Sequence, residues 1–157
     1  MNGVTDTDLG YEEFKAMLKD LDGLEVTAGI HEGLEGEGGG SVDESSETIA
    51  TYAAANEYGT DDIPARPWLR TACDANTEAW QDKAAKQLKR ALAPGGPRAE
   101  KVLVPVGNQM RNDLVKSIKD GDWEPNAPST VERKGSSKPL VDTGAMQRAI
   151  THKVTRK

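Results

Sequence analysis

The chain has 157 residues with a net charge of −6, of which 36% are hydrophobic and 29% charged, and it contains a single cysteine. This length suits one ordinary domain, one cysteine excludes an intramolecular disulfide, and no stretch approaches the roughly 18 apolar residues that a membrane span needs. The first residues, MNGVTDTDLGYEEF, are acidic and lack the basic and apolar segments of a signal peptide, so we expect a soluble protein made in a cytoplasm.

The N-terminal third predicts a helix, a strand and a loop. Residues 8–22 carry Phe14, Met17, Leu18 and Leu21 at helical spacing among charges, which predicts an amphipathic helix that Gly23 ends. Residues 24–30 alternate apolar and polar side chains and predict a strand. Residues 33–46 contain five glycines and several acids, which predicts a flexible loop or a mobile arm.

Two helices are predicted in the middle of the chain. The first begins at Glu47 and is closed by Gly59, with one face formed by Ile49, Tyr52, Ala53 and Asn56. Residues 63–68 are then extended, because proline disfavours the α conformation of the residue before it. Pro67 can open the second helix, which we expect to run to Ala93. One face of that helix carries Leu69, Cys73, Asn76, Trp80, Ala84 and Leu88.

The last third predicts further helices and a closing strand. After a break at residues 94–97, a helix covers about 98–119, with a kink or late start at Pro105. Residues 121–139 predict a long loop, which in a compact domain is usually functional or disordered.

Asp142 is then expected to cap a short helix over 143–150. A strand over 151–155 is expected to pair with residues 24–30. The expected fold class is α+β, with a small antiparallel sheet packed against two or three helices, long flexible loops, and one domain over residues 1–157.

One string resembles a catalytic motif. Residues 140–145, LVDTGA, are similar to the signature loop of retroviral-type aspartic proteases, in which two such loops share a proton between carboxylates. That fold needs flap strands after the loop, but only thirteen residues follow Gly144, and the upstream chain predicts helices. A helix start with Asp142 as the cap is the favoured interpretation, and a homodimeric protease is a remote alternative.

No metal, cofactor or catalytic site is predicted elsewhere. The only histidines, His31 and His152, do not form a ligand-spaced cluster with Cys73. The acids of residues 32–47 lack the spacing of a calcium loop, and no phosphate-binding loop is present. The basic residues of 83–90 and of the C-terminus are not interleaved with aromatic side chains, so we expect at most passive contact with DNA.

Four segments together resemble a known family. Residues 53–60 (AAANEYGT) and 63–70 (IPARPWLR) form a first block, and residues 123–130 (WEPNAPST) and 138–146 (KPLVDTGAM) form a second block. In order and approximate spacing these blocks resemble tail-completion and head–tail joining proteins of lambdoid and Mu-like bacteriophages. The resemblance spans roughly residues 50–151, and nothing is carried over to the N-terminal third.

The resemblance implies a non-enzymatic structural protein of the virion, located at the neck or the top of the tail. Such subunits form a ring, commonly a hexamer, that completes or terminates the tail. The implied partners are further copies of the chain, the head-side connector or stopper protein, and the tail tube protein. A capsid-associated or DNA-contacting accessory protein of the virion is the alternative.

Charge is divided along the chain in a way that fits ring assembly. Residues 1–62 hold two basic and sixteen acidic residues, and residues 63–157 hold eighteen basic and ten acidic residues. Two solvated faces would explain this division equally well. The other hypothesis is that an acidic surface of one subunit meets a basic surface of the next, as the head-to-tail contacts of rings require.

The matched residues give a hypothetical assembly motif: Ile63, Pro64, Arg66, Pro67, Trp68, Trp123, Pro139, Asp142, Thr143 and Gly144. Residues 63–68 form a stiff segment that would present Arg66 and Trp68 to a partner, since both residue types are enriched at interface hot spots. A core position for Trp68 is equally open. For Trp123 an anchor against a helix of its own chain is favoured over a partner contact.

Overall fold

The computed structural model describes residues 10–31, 46–93, 95–141 and 144–157, with the backbone alone described for 46–48. Their fold is α+β, as expected. The elements are, in chain order, α1 (Tyr11–Leu21), β1 (Leu24–Ile30), α2 (Ser46–Tyr58), α3 (Trp68–Ala91), α4 (Ala99–Val102), α5 (Val104–Asp120), α6 (Pro128–Lys134), α7 (Ala145–Ala149) and β2 (Ile150–Arg156).

The sheet of the described residues is an antiparallel pair formed by β1 and β2. Leu24 lies opposite Arg156 and Ile30 opposite Ile150, which confirms the predicted pairing of the two segments. A pair of strands is marginally stable without a packing partner. Helix α5 packs against both strands, and the Nε of Arg111 on this helix donates to the backbone oxygen of Ile150 at 3.1 Å.

Two clusters of buried side chains form the core, and both include residues of α3 and α5. The first core consists of Ile49, Ala53, Trp68, Ala72, Leu114, Ile118, Leu140, Met146 and Ile150. The second core consists of Trp80, Ala91, Val102, Leu103 and Val106. Trp80 also joins the two helices by a hydrogen bond, because its Nε1 donates to Asp113 Oδ2 at 2.8 Å. Helices α3 and α5 are therefore the frame on which the other elements are placed.

The predicted irregularity near Pro105 is confirmed. Helix α4 ends at Val102 and α5 begins at Val104, with Leu103 between them. Pro105 lies in the first turn of α5, where the missing N–H of proline costs no helical hydrogen bond. The prediction of a helix that Gly59 closes is also confirmed, since α2 ends at Tyr58 and Gly59 has a left-handed φ of 78°.

Two predictions need correction. The predicted loop over 121–139 contains α6, which Pro128 opens and Gly135 ends in the left-handed conformation. The short helix after the LVDTGA string begins at Ala145, and its N-cap residue is Gly144 rather than Asp142. Ile150 belongs to β2 and not to this helix.

Some predictions lie outside the described residues. These are residues 8 and 9 of the first helix, the predicted loop over 33–46 up to residue 45, Pro94, and both Asp142 and Thr143. Of the predicted long helix, the described part agrees from Trp68 to Ala91, two residues short of the expected end.

Candidate functional site

Arg66 joins the two motif blocks. This residue lies between α2 and α3 and is 4% exposed. Its Nε donates to the backbone oxygen of Glu124 at 2.8 Å, and its Nη2 donates to the backbone oxygen of Pro125 at 3.2 Å. Its Nη1 donates to Asn56 Oδ1 at 3.2 Å. One guanidinium therefore fastens the end of α2 to the segment between α5 and α6, which lies almost 60 positions away in sequence.

The expectation that residues 63–68 present Arg66 on the surface is wrong. Residues 124 and 125 lie between two helices, and within the protein Arg66 supplies the donors for their backbone oxygens. A guanidinium supplies donors from three nitrogens in a fixed planar geometry, whereas the donors of an ammonium group all lie on one nitrogen. The side chain is turned inward because it is the donor for this segment.

Glu57 fixes the start of α3, and sequence reasoning did not single it out. Its side chain is 3% exposed, and Oε2 accepts the backbone N–H of Leu69 at 2.8 Å. Oε1 accepts the backbone N–H of Arg70 at 3.2 Å and the Nε of Arg70 at 2.8 Å. A carboxylate is favourable at a helix N-terminus, where the first N–H groups lack intrahelical partners. The sequence signal for this role was Pro67. A proline side chain cannot cap the helix that follows it, so another residue has to accept the first N–H groups.

Trp68 is a core residue. It is 3% exposed and belongs to the first core, so of the two open alternatives the structure supports the core position. Its backbone oxygen accepts a hydrogen bond from Ser117 Oγ at 2.8 Å.

Trp123 is anchored within its own chain, as favoured. Its Nε1 donates to the backbone oxygen of Ser117 at 3.1 Å, and the half-buried ring packs against the first core. A methyl group on Gly121 would overlap this ring, so the indole lies directly on the backbone that ends α5.

The remaining motif residues support the same junction from its edges. Ile63 accepts the backbone N–H of Thr60 at 2.8 Å through its own oxygen, which closes the turn before Pro64. Asn126 Nδ2 donates to the oxygen of Lys138 at 3.3 Å, next to the half-buried Pro139. Gly144 is the N-cap of α7, whose Met146 reaches the first core. The structure therefore brings the described parts of both blocks to one core and its rim.

An apolar stripe on α1 is exposed. Tyr11, Phe14 and Leu18 lie on one face of this helix and are 66%, 43% and 46% exposed. Leu18 and Leu21 also line an open groove of about 560 Å³, together with Lys19 and Asp22. Its other wall includes Leu88 of α3 and Leu92, which follows this helix. The stripe and the groove form one apolar surface, which we call the α1 surface.

In addition to the Arg70–Glu57 pair, the two oppositely charged parts of the chain form two ion pairs near the C-terminus within the subunit. Arg156 Nη2 lies 3.3 Å from Asp20 Oδ1, and Lys157 Nζ lies 2.8 Å from Glu25 Oε2. Both ion pairs link the basic end of β2 to acidic residues of the N-terminal part. Part of the charge division is therefore balanced within the subunit.

Burial shifts the pKa of two side chains, His31 and Cys73. His31 bridges the two strands, with Nε2 2.9 Å from Thr27 Oγ1 and Nδ1 2.9 Å from Thr151 Oγ1. Burial, helped by Lys153 and His152, lowers the pKa of His31. Burial together with Asp74 and Glu57 raises the pKa of the half-buried Cys73 thiol.

Within the described ranges, histidine, cysteine and carboxylate side chains form no group of three that could hold a metal ion. No helix in this part of the chain is long and apolar enough to cross a membrane. No protein-family model, curated protein or solved structure matches the chain.

Proposed function

We propose that this chain is a structural virion protein of a tailed bacteriophage without enzymatic activity. In this proposal, copies of the chain form a ring at the interface of head and tail. The ring completes the tail and joins it to the head-side connector. The four motif segments give the assignment to the phage neck, and the structure adds two physical arguments for an assembly role.

The α1 surface is the observation that carries the assembly role. Contiguous exposed apolar surface that includes aromatic side chains is unfavourable in water and typically marks a contact with another protein. Phe14 is the one phenylalanine of the chain, and it lies on this surface and not in either core. A neighbouring copy is the occupant that the proposed ring supplies.

The junction at Arg66 gives a second argument. A closed ring needs subunits whose contact surfaces keep a fixed relative orientation, because small angular errors add up around the ring. Arg66 and Glu57 fix the ends of α2, the start of α3 and the segment before α6 to one another by charged hydrogen bonds. The motif blocks thus hold α2, α3 and the segment before α6 in one arrangement.

The mass of the assembled protein tests the assembly role. Size-exclusion chromatography with light scattering is expected to give several subunits per particle for the wild type. The double variant Phe14→Ser with Leu18→Ser is expected to lose this ring-sized particle with an unchanged circular dichroism spectrum. The matched control, Glu12→Ser with Glu13→Ser, changes exposed residues of the same helix outside the α1 surface and is expected to assemble like the wild type. A wild type that stays monomeric at every concentration would refute the proposal.

Electron microscopy of phage particles lacking this subunit tests the place of assembly. Free tails of uncontrolled length would indicate that the ring terminates the tail. Finished heads and finished tails left unjoined would indicate a joining role. Complete, infectious particles without the subunit would contradict a role at the neck.

A further inference from the structure

Helix α3 carries a row of five exposed charges that changes sign along its length. The residues stand four positions apart, and all five are exposed: Asp74, Glu78, Asp82, Lys86 and Arg90. Residues at this spacing form a continuous ridge on a helix surface. We call this row the α3 ridge. Its N-terminal part is acidic and its C-terminal part is basic.

Within the part of the chain that the structure describes, no ion pair neutralises the charges of the α3 ridge. None of the five side chains forms an ion pair with another residue of the described ranges, whereas Arg70, Lys116, Arg156 and Lys157 do. Arg90 donates to Gln87, a neutral neighbour on the same helix, at 3.4 Å. The ridge is therefore available to a partner of complementary charge.

The order of the signs determines which partner fits. Turned end for end, the last four charges of the ridge, from Glu78 to Arg90, change from acid–acid–base–base to base–base–acid–acid, so this part of the ridge is complementary to an antiparallel copy of itself. In a two-fold arrangement centred at the level of residue 84, Glu78 faces Arg90 of the partner subunit, and Asp82 faces Lys86 of the partner subunit. Both pairs occur twice, as in every isologous contact. Glu78 and Arg90 are about 18 Å apart along the helix axis, since the rise is about 1.5 Å per residue.

The side chains beside the ridge leave room for this contact. Ala75, Ala79 and Ala85 are exposed and flank the charged row. Small side chains let two helices approach closely enough for the ridge charges to reach the partner helix.

Nucleic acid and anionic membranes fit the ridge less well. Both attract the basic half through their phosphates, but they repel the three carboxylates of the acidic half. A second copy of the same helix is the occupant that satisfies both halves.

We propose that two copies of this chain associate through antiparallel contact of their α3 ridges. The contact is distinct from the α1 surface and does not rest on the proposed function. Exposed ion pairs contribute little individually and are screened by salt, so the association is weak and depends on ionic strength. We expect the association constant to fall by roughly tenfold or more between low salt and about 0.3 M salt.

Charge reversal of each half provides the decisive experiment. Glu78→Lys with Asp82→Lys makes a mostly basic ridge, and Lys86→Glu with Arg90→Glu makes an acidic ridge. Each variant alone is expected to lose the contact through repulsion, and an equimolar mixture is expected to recover it. Sedimentation velocity with one variant carrying a fluorescent label measures the mixed complex directly. A mixture that associates no more than the separate variants would overturn the proposal.

Two controls separate folding and ring assembly from this contact. The neutral variants Glu78→Gln with Asp82→Asn, and Lys86→Gln with Arg90→Gln, are milder changes. They are expected to weaken the contact, whether or not the charge-reversed variants have a lowered thermal midpoint. Phe14→Ser with Leu18→Ser is expected to keep the α3 contact. If that variant still associates in a salt-dependent way while the wild type forms no ring, only the proposed function fails. Neutral variants that associate like the wild type would also overturn the α3 contact.

Discussion

Replacing Arg66 by methionine tests whether the junction holds the two motif blocks together. Methionine keeps much of the side-chain length but removes every donor. Asn56 is 3% exposed, so its Oδ1 would lose a donor that water cannot easily replace. An unsatisfied buried acceptor costs about 1–3 kcal/mol. The oxygens of Glu124 and Pro125 belong to exposed residues and can regain water, so each of these bonds contributes only about 0.5–1.5 kcal/mol.

The guanidinium itself also loses hydration when it is buried, and removing it recovers part of this cost. We therefore expect Arg66→Met to lower the free energy of unfolding by about 2–4 kcal/mol. For a domain of this size that corresponds to a fall in Tm of about 5–15 °C. Urea unfolding followed by circular dichroism and by tryptophan fluorescence measures the loss.

Two further variants sharpen the result. Arg66→Lys keeps the charge but not the fork, and is expected to be intermediate. Arg133→Met changes an exposed arginine of α6 and is expected to stay within about 0.5 kcal/mol of the wild type. Hydrogen exchange over residues 121–127 should become faster in Arg66→Met alone. A loss no larger than that of the Arg133 control would refute the reasoning.

Two other substitutions and one labelling reaction have defined outcomes. Gly107→Ala places a methyl group against the imidazole of His152, so we expect a loss of about 1–3 kcal/mol in thermal unfolding despite the better helix propensity of alanine. Asn108→Ala, at the exposed neighbouring position, should be neutral, and equal melting of both variants would contradict the packing argument. His31 has a lowered pKa, so its unfolded form binds protons more readily. Its contribution to stability is therefore present above the ordinary value of 6.5 and decreases as the pH falls below it. His31→Gln should show a flatter decrease between pH 7 and 5, and superimposable pH profiles would argue against this. The raised pKa of Cys73 predicts that iodoacetamide alkylates the native protein more slowly than the urea-unfolded chain at pH 8; similar rates would show an accessible thiolate.

Local patterns were sufficient to predict most of the elements. The alternation of residues 24–30 identified the first strand, its expected pairing with residues 151–155 gave the second, and prolines marked the starts of α3 and α5. Helix α6 was missed because the prolines and glycine around it predict irregular structure, although Pro128 is also a suitable first helical residue.

The orientation of the motif side chains could not be predicted in the same way. Arginine and tryptophan are common both at interfaces and in buried networks, so their presence in residues 63–68 did not distinguish the two. The inward position of Arg66 depends on backbone oxygens of residues 124 and 125. Glu57 likewise acts on a helix that begins eleven positions later. The amphipathic pattern of α1 predicted an apolar face, but it contains no information about what covers that face.

The pairing of β1 with β2 also has a consequence for the order of folding. His31 and Thr151, which meet across the strands, are 120 positions apart. Contacts within and between neighbouring helices can form quickly, whereas a contact of this separation forms late because a long loop must close first. At about 5–20 residues per second, the ribosome needs on the order of ten seconds to make the chain between the two strands. Throughout that time β1 lacks its partner strand, and an unpaired strand edge can associate with other chains. We expect the risk of misassembly to be greatest during synthesis, when β1 of each growing chain is unpaired because β2 has not yet been made.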